Sequence, residues 1–261
     1  MPNPFAWLDH WRRRRILAKY PIGDTEWHAA ARRIDALHGL SPDDLARLRD
    51  LAALFLRGKT INGAGGLQLD RQMRVEIAVQ ACLPILQLDI DWYDGWCEII
   101  VYPETFRVRR RDSDDAGVVS EREDLLAGES WRRGPVVLSW HDVCHATPGE
   151  NVVIHELAHK LDMLNGAANG MPPLHRGMSH QDWSATLGAA YAELRRHVAL
   201  HLVTPIDAYA ATNPGEFFAV ASEYFFTDPL ALLRSWPPVY RQLQLFYRQD
   251  PATRVRNGPQ T

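Results

Sequence analysis

Cysteine is scarce in this chain: Cys82, Cys97 and Cys144 are three residues in 261, with no Cys-x-x-Cys pair. So sparse and odd a set argues against a disulfide framework and fits a reducing cytoplasm, the expected location. Long apolar runs are missing too. No window of about 18 uncharged apolar residues exists, so no membrane-spanning helix is expected. The charged opening MPNPFAWLDHWRRRRILAKY has no apolar stretch behind it of the kind a secretory signal needs. Charge excess is also lacking, and a net charge of −3 gives no whole-chain reason to expect nucleic acid as a partner. Asn62–Gly66 (NGAGG) is glycine-rich but lacks the Gly-Lys-Ser/Thr ending of a phosphate loop, so it reads as a turn. No internal repeat and no low-complexity linker is found. What remains is an ordinary globular composition, 46% hydrophobic and 23% charged, long enough to bury a sizeable core.

The patterning divides the chain in three. Residues 1–58 read as helical, with a helix start at Ser41, where Asp43 and Asp44 suit the positive end of the helix dipole. Leu45, Leu48, Leu51, Leu54 and Phe55 then recur at helical spacing and predict one buried face. After the NGAGG turn, RQMRVEIAVQACLPIL predicts a second helix ending near Pro84. CEIIVYP (Cys97–Pro103) and GPVVLSW (Gly134–Trp140) are short β-branched runs bounded by turn residues, and read as strands. The charged stretch between them, 107–133, reads as a surface excursion. Helical patterning returns at about 149–165, 180–202, 214–227 and 237–248. The expected fold is α+β: predominantly helical, with a small sheet and an active-site helix. The expected organisation is a single domain over 1–261, with a helical part at 1–90, the sheet and catalytic helices across 91–250, and a tail at 251–261.

The chemistry concentrates in NVVIHELAHKLDMLNG (Asn151–Gly166). Positions i and i+4 of a helix share a face, so His155 and His159 can grip one ion. Glu156, about 100° around the helix, can reach a water on that ion without ligating it. A chance His-Glu-x-x-His is expected on the order of 0.03 times in a chain of this composition. Val152, Val153, Leu157 and Leu161 would bury the helix as a rigid platform, with Asn165-Gly166 as its C-cap.

Catalytic zinc takes three protein ligands and keeps one position open. The metzincin continuation is excluded, because its glycine and third histidine positions hold Asp162 and Asn165. The third-ligand candidates are therefore Glu193, Glu216, Glu223, His175, His180, His197 and His201. Asn213-Pro214 reads as a helix start that puts Glu216 in the first turn of an apolar segment, where a carboxylate needs a partner. That favours Glu216. Glu223, two turns on and roughly on the same face, competes for the role or orients a ligand histidine.

Other groups carry less. Asp162 can accept the second ring N–H of His159, or be a solvated charge near the helix end. Tyr209, in a loop before Glu216, can donate to a developing oxyanion. Glu193, His197 and His201 recur every four residues and read as a polar helix face. The Arg12–Arg15 and Arg109–Arg111 runs, flanked by Asp9, Asp112, Asp114 and Asp115, read as solvated surface.

HELAHKLDMLNG, IDAYAATNPGEFFAVASEYFF and LFYRQDP resemble the Mlc titration factor A family of zinc metallopeptidases, and GGLQLDRQMRVEIAVQACLPIL and IIVYPETF fit the same family. The resemblance implies a gluzincin arrangement: one Zn2+ on His155, His159 and Glu216, with Glu156 as general base and Tyr209 as the active-site tyrosine. It also implies a cytoplasmic, aminopeptidase-like activity on peptides and a partnership with an Mlc-like sugar-responsive repressor. Cys144-His145 matches no role in that family.

Overall fold

The computed structural model describes residues 6–104 and 134–257. The charged excursion and the Arg109–Arg111 run fall outside the described residues. In chain order the elements are α1 (Ala6–Lys19), α2 (Asp24–Arg33), α3 (Pro42–Gly58), β1 (Thr60–Gly63), α4 (Arg71–Cys82), β2 (Glu98–Tyr102), β3 (Val136–Ser139) and α5 (Trp140–Cys144). Then come α6 (Val152–Asp162), α7 (His180–Ala199), α8 (Pro214–Thr227), α9 (Pro229–Ser235), α10 (Pro237–Tyr247) and α11 (Pro251–Asn257). The protein is α+β and mostly helical, as the patterning predicts.

Local chemistry accounts for the helix starts. Ser41 accepts a hydrogen bond from the Asp44 amide at 3.1 Å, and Asp70 accepts one from the Met73 amide at 2.8 Å. In α3, Leu48, Leu51 and Phe55 are buried while Leu45 and Leu54 are only partly so. From Val75 to Cys82, α4 is buried at every position, because α3, α2 and α6 enclose it.

The three strands form one parallel sheet in the order β1-β2-β3, with Thr60 beside Glu98 and Ile99 beside Val136. Strand β1 corrects the reading of Asn62–Gly66 as a turn alone. Its four residues bury only Ile61, too little alternation to mark a strand, and pairing with β2 makes it one. The turn proper is Gly65-Gly66, whose φ angles of 57° and 84° suit glycine. Strand β3 borders the sheet among the described residues, and α6 packs against it.

Three helical readings also change. The motif helix ends at Asp162, and Gly166 closes a following 3-10 turn, Met163–Asn165, rather than capping the helix. α7 stops at Ala199, and His201 sits beyond it at φ 52°, so the expected stripe of Glu193, His197 and His201 is broken. α9 and α11, seven residues each, were not expected. Both follow an Asp-Pro pair; Asp228 accepts from the Ala231 amide at 3.1 Å and Asp250 from the Thr253 amide at 3.3 Å.

Candidate metal centre

Helix α6 delivers two histidines and α8 delivers the carboxylates that meet them. Each helix is capped by its own asparagine: Asn151 accepts from the Ile154 amide at 2.9 Å, and Asn213 from the Glu216 amide at 3.0 Å. The second cap fixes Glu216 in the first turn of α8.

The Nε2 atoms of His155 and His159 stand 3.2 Å apart, and one Glu216 oxygen lies 3.1 Å from the first and 3.2 Å from the second. Donors held at about 2.0–2.1 Å from one tetrahedral ion stand about 3.3 Å from one another. The triangle therefore fits a zinc ion, and these three residues form the only such group among the described residues. Of the other candidates, Glu193 accepts from the Trp236 indole at 3.1 Å and His175 approaches the Phe246 carbonyl at 2.7 Å. His180 lies 3.3 Å from the Met171 sulfur, and His197 lies 3.0 Å from the Val203 carbonyl.

Glu223 takes the orienting place. It is 2.7 Å from His155 Nδ1 and accepts from the Asn151 amide at 2.5 Å. A His155 that donates from Nδ1 keeps its Nε2 lone pair directed at the triangle. Asn151 in turn donates to Gln80 at 2.7 Å, tying the centre to α4. Burial opposes charge on His155, but hydrogen bonds to Glu216 and Glu223 outweigh it and raise its pKa to about 10. Burial likewise opposes charge on Glu216, yet hydrogen bonds from the two histidines hold it well below the usual carboxylate range. A metal cation binding at His155 Nε2 would displace the proton that these bonds stabilise there, with the Glu216 carboxylate already charged beside it.

Asp162 fits neither expectation. It is fully buried, and its Oδ2 accepts from the Gly170 amide at 2.7 Å; His159 Nδ1 has no hydrogen-bond partner among the described residues. Burial raises the Asp162 pKa to about 7, against the pull of the loop amides around Gly170. The loop it anchors presses on the start of α8: a Cβ on Gly170 would stand 2.5 Å from the Pro214 carbonyl, and one on Gly215 2.9 Å from that of Ala168. Asp162 thus helps to place Glu216, a role no spacing in the sequence signals.

His155 and Glu156 line an open cleft of about 550 Å3, shared with Tyr209, Asp142, His145, Glu150 and Asp207. His159 and Glu216 are more deeply buried, at 5% and 1% exposure. Tyr209 occupies a 3-10 turn, Ala208–Ala211, rather than an open loop, and its ring centre lies 6.2 Å from that of His155. His145 stacks on His141 at 4.3 Å on the cleft rim.

Residues 8–248 match the family model described as glucose-regulated metallo-peptidase M90. The chain is similar to Mlc titration factor A of Escherichia fergusonii, 40% identical over 233 residues, 87% of each chain. The Salmonella gallinarum protein of that name is 41% identical over 230 residues, 85% of this chain and 86% of its own. That of Klebsiella pneumoniae is 40% identical over 235 residues, 87% and 88% respectively.

Proposed function

The chain belongs to the glucose-regulated metallo-peptidase M90 family, and from that premise we propose that it is a cytoplasmic zinc-dependent peptidase. In this reading His155, His159 and Glu216 hold one Zn2+, Glu156 is the general base and Tyr209 an oxyanion donor. The observation that carries it is the donor triangle with 3.1–3.2 Å edges beside a cleft that Glu156 lines. The single buried cluster running from Ile22 to Ala252 supports reading the chain as one domain.

A zinc ion held by His155, His159 and Glu216 would supply Lewis acidity, lowering the pKa of water towards neutral and polarising a carbonyl. Glu156 takes the proton from the attacking water and passes it to the departing amine. Tyr209 offers its phenol to the carbonyl oxygen as negative charge develops on it. Glu223 keeps His155 in one tautomer, and strand β3, at the border of the sheet, is the edge we assign to extended peptide backbone. We read the substrate as a peptide with a free amino end, an aminopeptidase-like preference. Elemental analysis tests the site. One zinc per wild-type chain and little in Glu216→Ala is the expected result, whereas full zinc in the variant removes Glu216 from the ligand set.

The relatives' name says that they titrate Mlc, and this favours a second role: binding a sugar-responsive repressor, with zinc holding the shape of the site. Repressor capture that survives zinc removal makes the two roles separable. Capture lost with the metal makes the centre part of the binding surface.

A further inference from the structure

Helix α1 turns an aromatic, cationic face to solvent. Trp7 is 66% exposed and Trp11 50%, one turn apart on the same side, and Tyr20 just beyond the helix is 46% exposed. Arg12, Arg14, Arg15 and Lys19 are exposed around them. The Arg15 guanidinium lies 4.6 Å from the Trp11 ring, while Lys19 and Arg57 lie 5.2 Å and 5.5 Å from that of Tyr20. The other side of the helix does the packing. Ile16 and Leu17 are half-buried, Leu17 rests on the core, and Arg13 is paired with Asp89, at 3.0 Å, and with Asp91. Asp89 and Asp91 both pair with Arg13, while Arg12, Arg14, Arg15 and Lys19 stay exposed.

Folding does not require two indoles in water, and exposed apolar side chains of this size mark a contact surface. We propose that α1 is a peripheral docking helix that lies on an anionic phospholipid bilayer. Trp7 and Trp11 sit at the boundary of headgroups and acyl chains, and Arg12, Arg14, Arg15 and Lys19 rest on lipid phosphates. Indole rings along the centre of the face, flanked by basic side chains, match the layering of a bilayer surface. At 14 residues and with five basic side chains, α1 is suited to lying on a bilayer and not to crossing it.

The test is sedimentation of the whole protein with phosphatidylcholine vesicles, with or without an equal part of phosphatidylglycerol. The expected result is retention by the mixed vesicles only, weakened by salt. Replacing both Arg14 and Arg15 by Gln lowers partitioning roughly 30-fold, at about fivefold per cation. Replacing both Trp7 and Trp11 by Ala lowers it at least about tenfold. The arginine pair is solvent-exposed, so it tests the idea even where the tryptophan pair fails to fold. No retention, equal retention by both vesicle types, or retention unchanged in the arginine variant overturns the proposal, as does preferential capture by a single-stranded oligonucleotide over the mixed vesicles. None of these readouts depends on peptidase activity.

Discussion

Helix α6 serves two buried polar regions that satisfy their charge in opposite ways. On the cleft side, His155 and His159 meet Glu216 at one point, and Glu223 holds the far nitrogen of His155. On the flank next to Trp96, Lys160 donates to the Gly134 carbonyl at 2.8 Å. Lys59 reaches the carbonyls of Tyr93 and Trp96, with its nitrogen 4.0 Å from the Trp96 ring centre. Burial lowers the pKa of both lysines to about 8. Both regions thus hold strongly perturbed titratable groups, and perturbation by itself does not separate them. Convergence does: the histidine side gathers three atoms that can all bind a cation, whereas the lysines donate to backbone carbonyls and lie over a ring.

The largest expected effect breaks the active side while leaving its metal. Glu156→Gln retains zinc and lowers peptide hydrolysis by about 10^2–10^4-fold, measured as kcat at constant zinc content. Undiminished kcat would remove Glu156 from the role of general base. A smaller effect separates holding from orienting: Glu223→Gln weakens zinc binding by about 10–100-fold in a chelator competition, because His155 loses its carboxylate partner. Unchanged affinity would reduce Glu223 to a cap on the Asn151 amide. The smallest effect falls on the lysine side. Unfolded Lys59 holds its proton to about pH 10.5, and the folded residue releases it from about pH 8. Between those values the unfolded state binds more protons, so stability gains a contribution as pH rises through the window. Lys59→Met removes that contribution, about 1 kcal/mol after allowance for solvent screening, and leaves zinc content unchanged. Parallel pH–stability curves for the two proteins would contradict it, and loss of zinc in the variant would mean that the two regions are coupled.

Legibility differed between the same two regions. His155 and His159 sit four residues apart on one helix, with Glu156 directly after the first, and that spacing is a local property. Glu216 stood out because a carboxylate in PGEFFAVASEYFF needs a partner. The lysine side offered nothing to read: Lys59 and Lys160 are separated by 101 positions (160 − 59), and both lie over the Trp96 ring. Strand β1 was hidden for a related reason, since four residues with one buried side chain become a strand only against β2.

The sequence by itself determined the helical character, the two recognisable strands and the motif helix, because periodicity, caps and i,i+4 spacing act within a few residues. The tertiary structure decided which of seven acidic or histidine candidates faces the two motif histidines. It also made Asp162, readable as a partner of His159 or as a solvated charge, an acceptor for the Gly170 amide, and aimed the aromatic face of α1 at solvent. The first of these outcomes depends on which side of one helix meets another 57 positions away (216 − 159). Packing of the whole core sets that relation, and no local spacing does.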